Sequence, residues 1–239
     1  MMNIALSGHG RMGRIVEDII NESDDLSLAG VRSEDCSGTF GEIEGKPDVI
    51  IDYSHPDYLA DMLDYATANE VALVIATTGH TDAQQRQIRA AAEKVPVVYS
   101  ANYSLGINIM EKILRDITPI LEDSFDMEVV EKHHNQKLDA PSGTARMLVR
   151  AMDPEGKYEH VEGRSGMAKR GKEIGVSAIR GGNITGEHTV IYAGEDEIVE
   201  IRHIAGSRKI FAFGSIKAAE FAVGKSAGLY NMDDVLFGK

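Results

Sequence analysis

His133, His134 and Lys137 lie a few residues ahead of a Pro-Ser-Gly-Thr run, Pro141-Ser142-Gly143-Thr144. An imidazole, with an ordinary pKa of about 6.5, gives and takes a proton near neutrality, and an ammonium steadies a neighbouring anion. The histidines and the lysine leave a predicted strand, and Ser142-Gly143-Thr144 opens a predicted helix. Pro141 fixes the approach, and backbone N–H groups at Gly143 and Thr144 are then disposed to bind a carboxylate. Proton transfer to a bound oxoacid or dicarboxylate is the chemistry of such a set. Two other readings stay open on these residues alone. The histidines could be surface residues at a strand end, or they could hold a metal with Asp139 as a third ligand.

A second set lies at the start of the chain. Gly8-His9-Gly10-Arg11-Met12-Gly13 is a GxGxxG that follows an apolar run, Asn3-Ile4-Ala5-Leu6, with Ser7 between them, and opens an amphipathic stretch. The first glycine permits the tight turn, the second lets backbone approach a pyrophosphate, and the third allows close packing of helix on sheet. About twenty residues on, where an NAD-selective site carries an acid, the chain reads Val31-Arg32-Ser33-Glu34. Arg32, with Arg11 nearby, suits a 2′-phosphate, since guanidinium matches phosphate bidentately. Glu34 remains the alternative acid. NADPH or NADH is the expected cofactor, with NADPH accepted at least as well. Ala76-Thr77-Thr78-Gly79 and Ser100-Ala101-Asn102-Tyr103 follow later predicted strands, where open α/β sheets bind ligands; both could equally be ordinary turns.

The elements that must carry these residues come in two styles. Strands at 3–7, 26–31, 48–53, 71–76 and 96–99 alternate with helices at about 11–21, 56–69 and 82–94, Asp82 capping the last. That is the order of a Rossmann-type doubly wound parallel sheet. Segment 33–47 reads as a loop. After Asn102 a helix at 107–121 leads to a strand at 126–132 and a helix from Ser142. Ile174–Arg180, Glu187–Ala193 and Glu197–Ala205 then follow one another as β-rich runs, giving a second α+β domain with a mixed sheet. The glycine-rich, basic stretch 156–173 reads as a mobile loop or a solvated linker, and a last helix is expected at 214–225. The predicted division is a dinucleotide-binding domain of 1–104 completed by 214–239, and a substrate-binding and oligomerisation domain of 105–213. Closure about the two junctions would bring cofactor and substrate together.

Composition restricts the classes. A formal charge of -13 argues against a nucleic-acid or anionic-membrane surface. Cys36 is the single cysteine, so neither an internal disulfide nor a multi-cysteine zinc site can form, and no metal is expected. The opening residues lack the pattern of a signal peptide, and no segment reads as a membrane span, so a cytoplasmic location is expected.

From Glu131 to Ala145 the sequence meets the pattern ExHHxxKxDAPSGTA and resembles the dihydrodipicolinate reductase family. The resemblance extends to Gly10-Arg11-Met12-Gly13-Arg14, Ala76-Thr77-Thr78-Gly79, Asn102-Tyr103-Ser104-Leu105-Gly106, Gly186-Glu187-His188-Thr189 and Gly228-Leu229. It implies reduction of a cyclic dicarboxylate, the dehydrated form of 4-hydroxy-tetrahydrodipicolinate, to tetrahydrodipicolinate in lysine and diaminopimelate synthesis. Hydride would go to ring C4. His133 and Lys137 would supply the proton, and His134, Lys137, Gly143 and Thr144 would bind substrate. The cofactor would be held by Ser7, Gly8, Gly10, Arg11, Met12, Gly13, Arg32, Ala76, Thr77, Thr78 and the Ser100, Ala101, Asn102, Tyr103 loop. A homotetramer assembled through the second sheet is also implied. The chain departs from some relatives in a shorter 33–47 segment and an unobvious acidic selectivity position, which bears on nucleotide preference. Arg208 reads as a surface arginine or an aid at the domain junction. Another two-domain dehydrogenase would share the GxGxxG without the ExHHxxK run, and a nucleotide-sensing regulator would do without the histidines and lysine.

Overall fold

The computed structural model describes residues 1–32, 40, 43 and 45–238; most of the 33–47 segment, with Ser33, Glu34 and Cys36, lies outside them. The chain divides into two compact units, residues 1–105 with 208–239, and residues 106–207.

In the first unit β1 (Met2–Ser7), β2 (Leu26–Arg32), β3 (Val49–Asp52), β4 (Ala72–Ile75), β5 (Pro96–Tyr99) and a short C-terminal strand at Gly228–Tyr230 form one parallel sheet. Its order is C-terminal strand, β5, β4, β3, β1, β2. The strand order reverses between β1 and β3, and the crevice at their carboxyl ends is where such sheets take ligands. In the inner strands β3 and β4 side chains alternate between two buried faces, which is why these strands are almost wholly apolar. Ile4, Leu6, Val49 and Ile51 pack with α1 (Arg11–Asn21) and a C-terminal helix, Lys209–Ala222. Ala5, Ile50, Leu73 and Ile75 pack with α2 (Leu59–Asn69) and α3 (Asp82–Ala92).

Three details differ from the sequence reading. The cap of α3 is Thr81, whose hydroxyl accepts from the Gln84 N–H while the Gln84 side chain accepts from the Thr81 N–H; Asp82 is the first helical residue. The helix Lys209–Ala222 begins five residues earlier than 214, its Lys-Ile-Phe-Ala-Phe start resembling a strand while Ala212 sits on the sheet of the first unit. The strand Gly228–Tyr230 and a closing helix, Met232–Phe237, are too short to be seen by periodicity.

The second unit holds α4 (Leu105–Leu121, of which Leu105 belongs to the first unit), β6 (Asp126–His133), α5 (Gly143–Met152), β7 (Glu159–Glu162), β8 (Glu173–Arg180), β9 (Glu187–Ala193) and β10 (Ile198–Ile204). The sheet order is β10-β9-β6-β8-β7; β6, β8 and β7 run parallel, whereas β9 is antiparallel to both β6 and β10. β7 falls inside the stretch expected to be a loop. Its Glu-His-Val-Glu sequence has no apolar face because it is an exposed edge strand, defined only by pairing with β8. Met127, Val129, Val190 and Tyr192 form a core with Met110 and Leu114 of α4 and Leu148 and Val149 of α5.

Candidate active site

The core row of β6 changes character along the strand. Met127, Val129, Glu131 and His133 are the buried positions, so two apolar residues are followed on the same face by a carboxylate and an imidazole. Glu131 is fully buried and His133 is 9% exposed. Glu131 is nonetheless fully partnered. Arg180, at the end of β8, donates to both of its oxygens at 2.8 Å. The Ser142 N–H donates to Oε1 at 2.9 Å, and His133 Nδ1 meets Oε2 at 2.6 Å. Burial alone would raise the Glu131 carboxyl, but the hydrogen bonds from Arg180, His133 and Ser142 together hold it below its usual range.

This arrangement sets the imidazole. With Nδ1 held by Glu131, Nε2 is the ring nitrogen left to exchange a proton, and it makes no hydrogen bond to a described residue. A Cβ at Gly186 would come within 3.1 Å of Nε2, so the glycine keeps that side clear. Burial pushes the His133 pKa down; Glu131 opposes the shift, and Lys137 and Arg180 reinforce it. The ring is therefore neutral at neutral pH in the free chain, and a negative charge brought beside it would favour its protonated form.

His188, on the same face of β9, stands edge-on to His133 with ring centres 5.2 Å apart. Its Nε2 shares a hydrogen bond of 3.2 Å with the hydroxyl of Ser142, which also accepts from the Ala145 N–H as the cap of α5. Burial, with the nearby His133 adding to it, pushes His188 down to about 4. The sign for stability follows. Unfolded chains take up a proton near pH 6.5 that the folded chain refuses until about 4, so stability falls as pH drops through that window. Urea denaturation between pH 7 and 4 is expected to show this loss, roughly 3 kcal/mol at most from this group, and His188→Asn should flatten it. An unchanged slope in the variant would mean that other groups carry the effect.

Lys137 is 2.7 Å from Asp139. The Lys137 ammonium lowers the Asp139 carboxyl, helped by the backbone at Gly143. The first turn of α5 thus already attracts a carboxylate. His134 is half-buried in the turn that its carbonyl forms with the Lys137 N–H, and Thr144 is half-buried one residue inside α5. The sequence reading singled out His133, His134, Lys137, Gly143 and Thr144 but gave no task to Glu131, Arg180 or His188. Glu131 was legible, because it stands two residues before His133 and must share its face of a strand. Arg180 and His188 come from separate strands, and only pairing of β8 and β9 with β6 brings them here.

In the first unit the glycine loop has the geometry a nucleotide requires. Gly8 has φ +95°, and a Cβ there would lie 2.4 Å from the Tyr53 carbonyl oxygen; a Cβ at Gly13 would lie 2.1 Å from the Gly8 carbonyl oxygen. Around Gly10 nothing lies within 4 Å of such an atom, so its backbone is open to a pyrophosphate. A cleft of about 980 Å³ extends from Gly10, Arg11 and Met12 to Ala76, Thr77 and Thr78, ample for a nucleotide. These residues fit a nicotinamide dinucleotide. Ser7 is buried at the end of β1. The 100–103 loop is outside the cleft lining. The Tyr103 hydroxyl donates to the carbonyls of Ile75 and Val98, and the Asn102 side chain accepts from the Ser104 N–H, so both side chains shape the loop. Arg32 is not free either: its Nε lies 3.2 Å from Asp61.

Models of the N-terminus and C-terminus of dihydrodipicolinate reductase match residues 2–103 and 106–236. The chain belongs to the dihydrodipicolinate reductase family. It is 44% identical over 251 residues to the 4-hydroxy-tetrahydrodipicolinate reductase of Clostridium novyi, covering all of both chains. It is 43% identical to that of Clostridium tetani, covering 99% of this chain and 97% of the relative. Among solved structures, a dipicolinate-bound dihydrodipicolinate reductase from Paenisporosarcina sp. TG-14 superposes with a TM-score of 0.80 at 23% identity, covering 99% of this chain and 100% of that one. As a family member the chain is an oxidoreductase of lysine and diaminopimelate biosynthesis that works with NADH or NADPH, and residues 2–103 are the family's Rossmann domain. Among the described residues, no helix is long and apolar enough to cross a membrane.

Proposed function

We propose that this dihydrodipicolinate reductase family member reduces the dehydrated form of 4-hydroxy-tetrahydrodipicolinate, with His133 as proton donor and Lys137 as charge partner in the second unit. The observation that carries this reading is the buried Glu131, locked by Arg180 and Ser142, which presents His133 beside Lys137 and the opening turn of α5. When bound, a reduced nicotinamide would supply the hydride for ring C4. The chain's own residues handle charge and position. A substrate carboxylate docks at the Gly143 and Thr144 N–H groups and draws Lys137 from Asp139. His134 borders the same turn. The added negative charge raises the proton affinity of His133, so Nε2 is charged when it must donate, while Glu131 stabilises the imidazolium through Nδ1. Lys137 steadies the anion that hydride addition leaves on the conjugated system.

The Paenisporosarcina structure carries dipicolinate, a planar dicarboxylate, and a dicarboxylate is what a helix tip beside a lysine suits. The glycine loop, Met12, Thr77 and Thr78 hold the phosphates and nicotinamide end of the cofactor, aided by Arg11 and the backbone of Ser100 and Ala101. A homotetramer through the second sheet is supported by the face of that sheet away from α4 and α5, where Ile179, Ile198 and Ile204 are exposed. A biosynthetic reductase drawing on the nicotinamide pool belongs in the cytoplasm.

The direct test couples the chain to the synthase that makes its substrate and follows loss of reduced nicotinamide absorbance. No consumption with either cofactor would end the reading. Within the same assay, Lys137→Ala is expected to raise KM for the dicarboxylate by about tenfold or more and to lower kcat. An unchanged KM would remove Lys137 from substrate binding.

A further inference from the structure

We propose that Asp61 is a specificity-determining residue, which holds Arg32 and opposes a phosphate on the 2′ position of the cofactor's adenosine ribose. Arg32 ends β2, and its carbonyl accepts from the Gly8 N–H at 2.7 Å, so its side chain starts beside the first glycine of the loop. In this fold the end of the second strand meets the adenosine ribose. An arginine there, taken alone, favours a 2′-phosphate. Its surroundings reverse that preference.

The Arg32 side chain is only 16% exposed. Its guanidinium lies over the Tyr58 ring at 4.5 Å and beside the Phe40 ring at 5.6 Å, while Nε faces Asp61 Oδ2 from the first turn of α2. Both of these facing atoms are buried and neither makes a hydrogen bond, so the pair is held by charge at 3.2 Å. The group is clamped on two sides and paired on a third, so leaving the carboxylate would cost it both ring contacts and its counter-charge. A phosphate monoester that approached the remaining edge would bring nearly two negative charges close to Asp61; the Asp61 side chain is 44% exposed, so this repulsion acts at short range and weakens with salt. A ribose 2′-hydroxyl meets no such penalty. Asp61 thereby turns the expected preference for NADPH toward NADH.

The inference rests on the placement of adenosine at the end of β2, and the test separates the two. Calorimetric titrations of the full chain would use 5′-AMP and adenosine 2′,5′-bisphosphate as probes. Asp61→Asn is expected to tighten the bisphosphate about tenfold while leaving 5′-AMP within about twofold. Asp64→Asn, which removes an exposed charge from the same helix, should change neither. If Asp61→Asn moves both probes equally or neither, Asp61 does not select. Arg32→Gln should weaken the bisphosphate. If it does so while Asp61→Asn has no effect, the placement holds and the role of Asp61 fails; if Arg32→Gln changes nothing, the placement itself fails. Thermal unfolding checks each variant, and Asp61→Ser carries the same test should Asp61→Asn not fold.

Discussion

His133→Ala is expected to lower kcat by roughly two to three orders of magnitude, the usual worth of a positioned general acid, with little change in cofactor affinity. The imidazole is held by Glu131 and stands against His188, all within the second unit, whereas the glycine loop belongs to the first, so cofactor affinity is expected to change little. The fold should survive, because Glu131 keeps Arg180 and the Ser142 N–H when the ring is gone. The pH dependence gives a second reading. The acid form of His133 is the active one, and burial holds its pKa below the ordinary value. In the wild type kcat/KM should therefore decline as pH rises, from a midpoint below that of a free histidine, and the variant should lose this limb. Steady-state kinetics across the neutral range would check both, and a kcat equal to that of the wild type would take His133 out of the mechanism.

Glu131→Gln should damage both stability and turnover. The amide presents an NH₂ where Arg180 and His133 need acceptors, so a buried charge pair is broken from one side, at a cost of about 3 kcal/mol. Urea denaturation measures that. A purely structural role would stop there. A positioning role predicts more, because Glu131 both orients the ring and raises its proton affinity. Without the carboxylate the descending limb of kcat/KM should move to lower pH, and kcat at neutral pH should fall by about tenfold or more. A variant that is less stable but keeps its pH profile would reduce Glu131 to a structural part.

Much of the candidate site is local in the chain, and local features are readable. GxGxxG after an apolar strand specifies its own turn, because the φ of Gly8 and the close approach at Gly13 are properties of a few consecutive residues. His133, Lys137 and the Ser142 cap lie within one strand, one turn and one helix start, so their proximity needs no distant contact. The alternating apolar strands and amphipathic helices of the first unit were legible for the same reason. The edge strand β7 and the early start of the helix Lys209–Ala222 were not, since one is defined by its partner β8 and the other by packing of Ala212 on a sheet formed far away in sequence.

By itself the sequence determined the fold class, the nucleotide loop and the residue types of the chemistry. Tertiary structure alone decided the electrostatics around them. Arg180 reaches Glu131 only because β8 pairs with β6, His188 meets His133 only because β9 pairs on the other side, and Asp61 meets Arg32 only because α2 packs beside the end of β2. Charge acts through space, at distances of a few ångströms, so the proton affinity of an imidazole and the availability of a guanidinium depend on neighbours that spacing along the chain does not reveal.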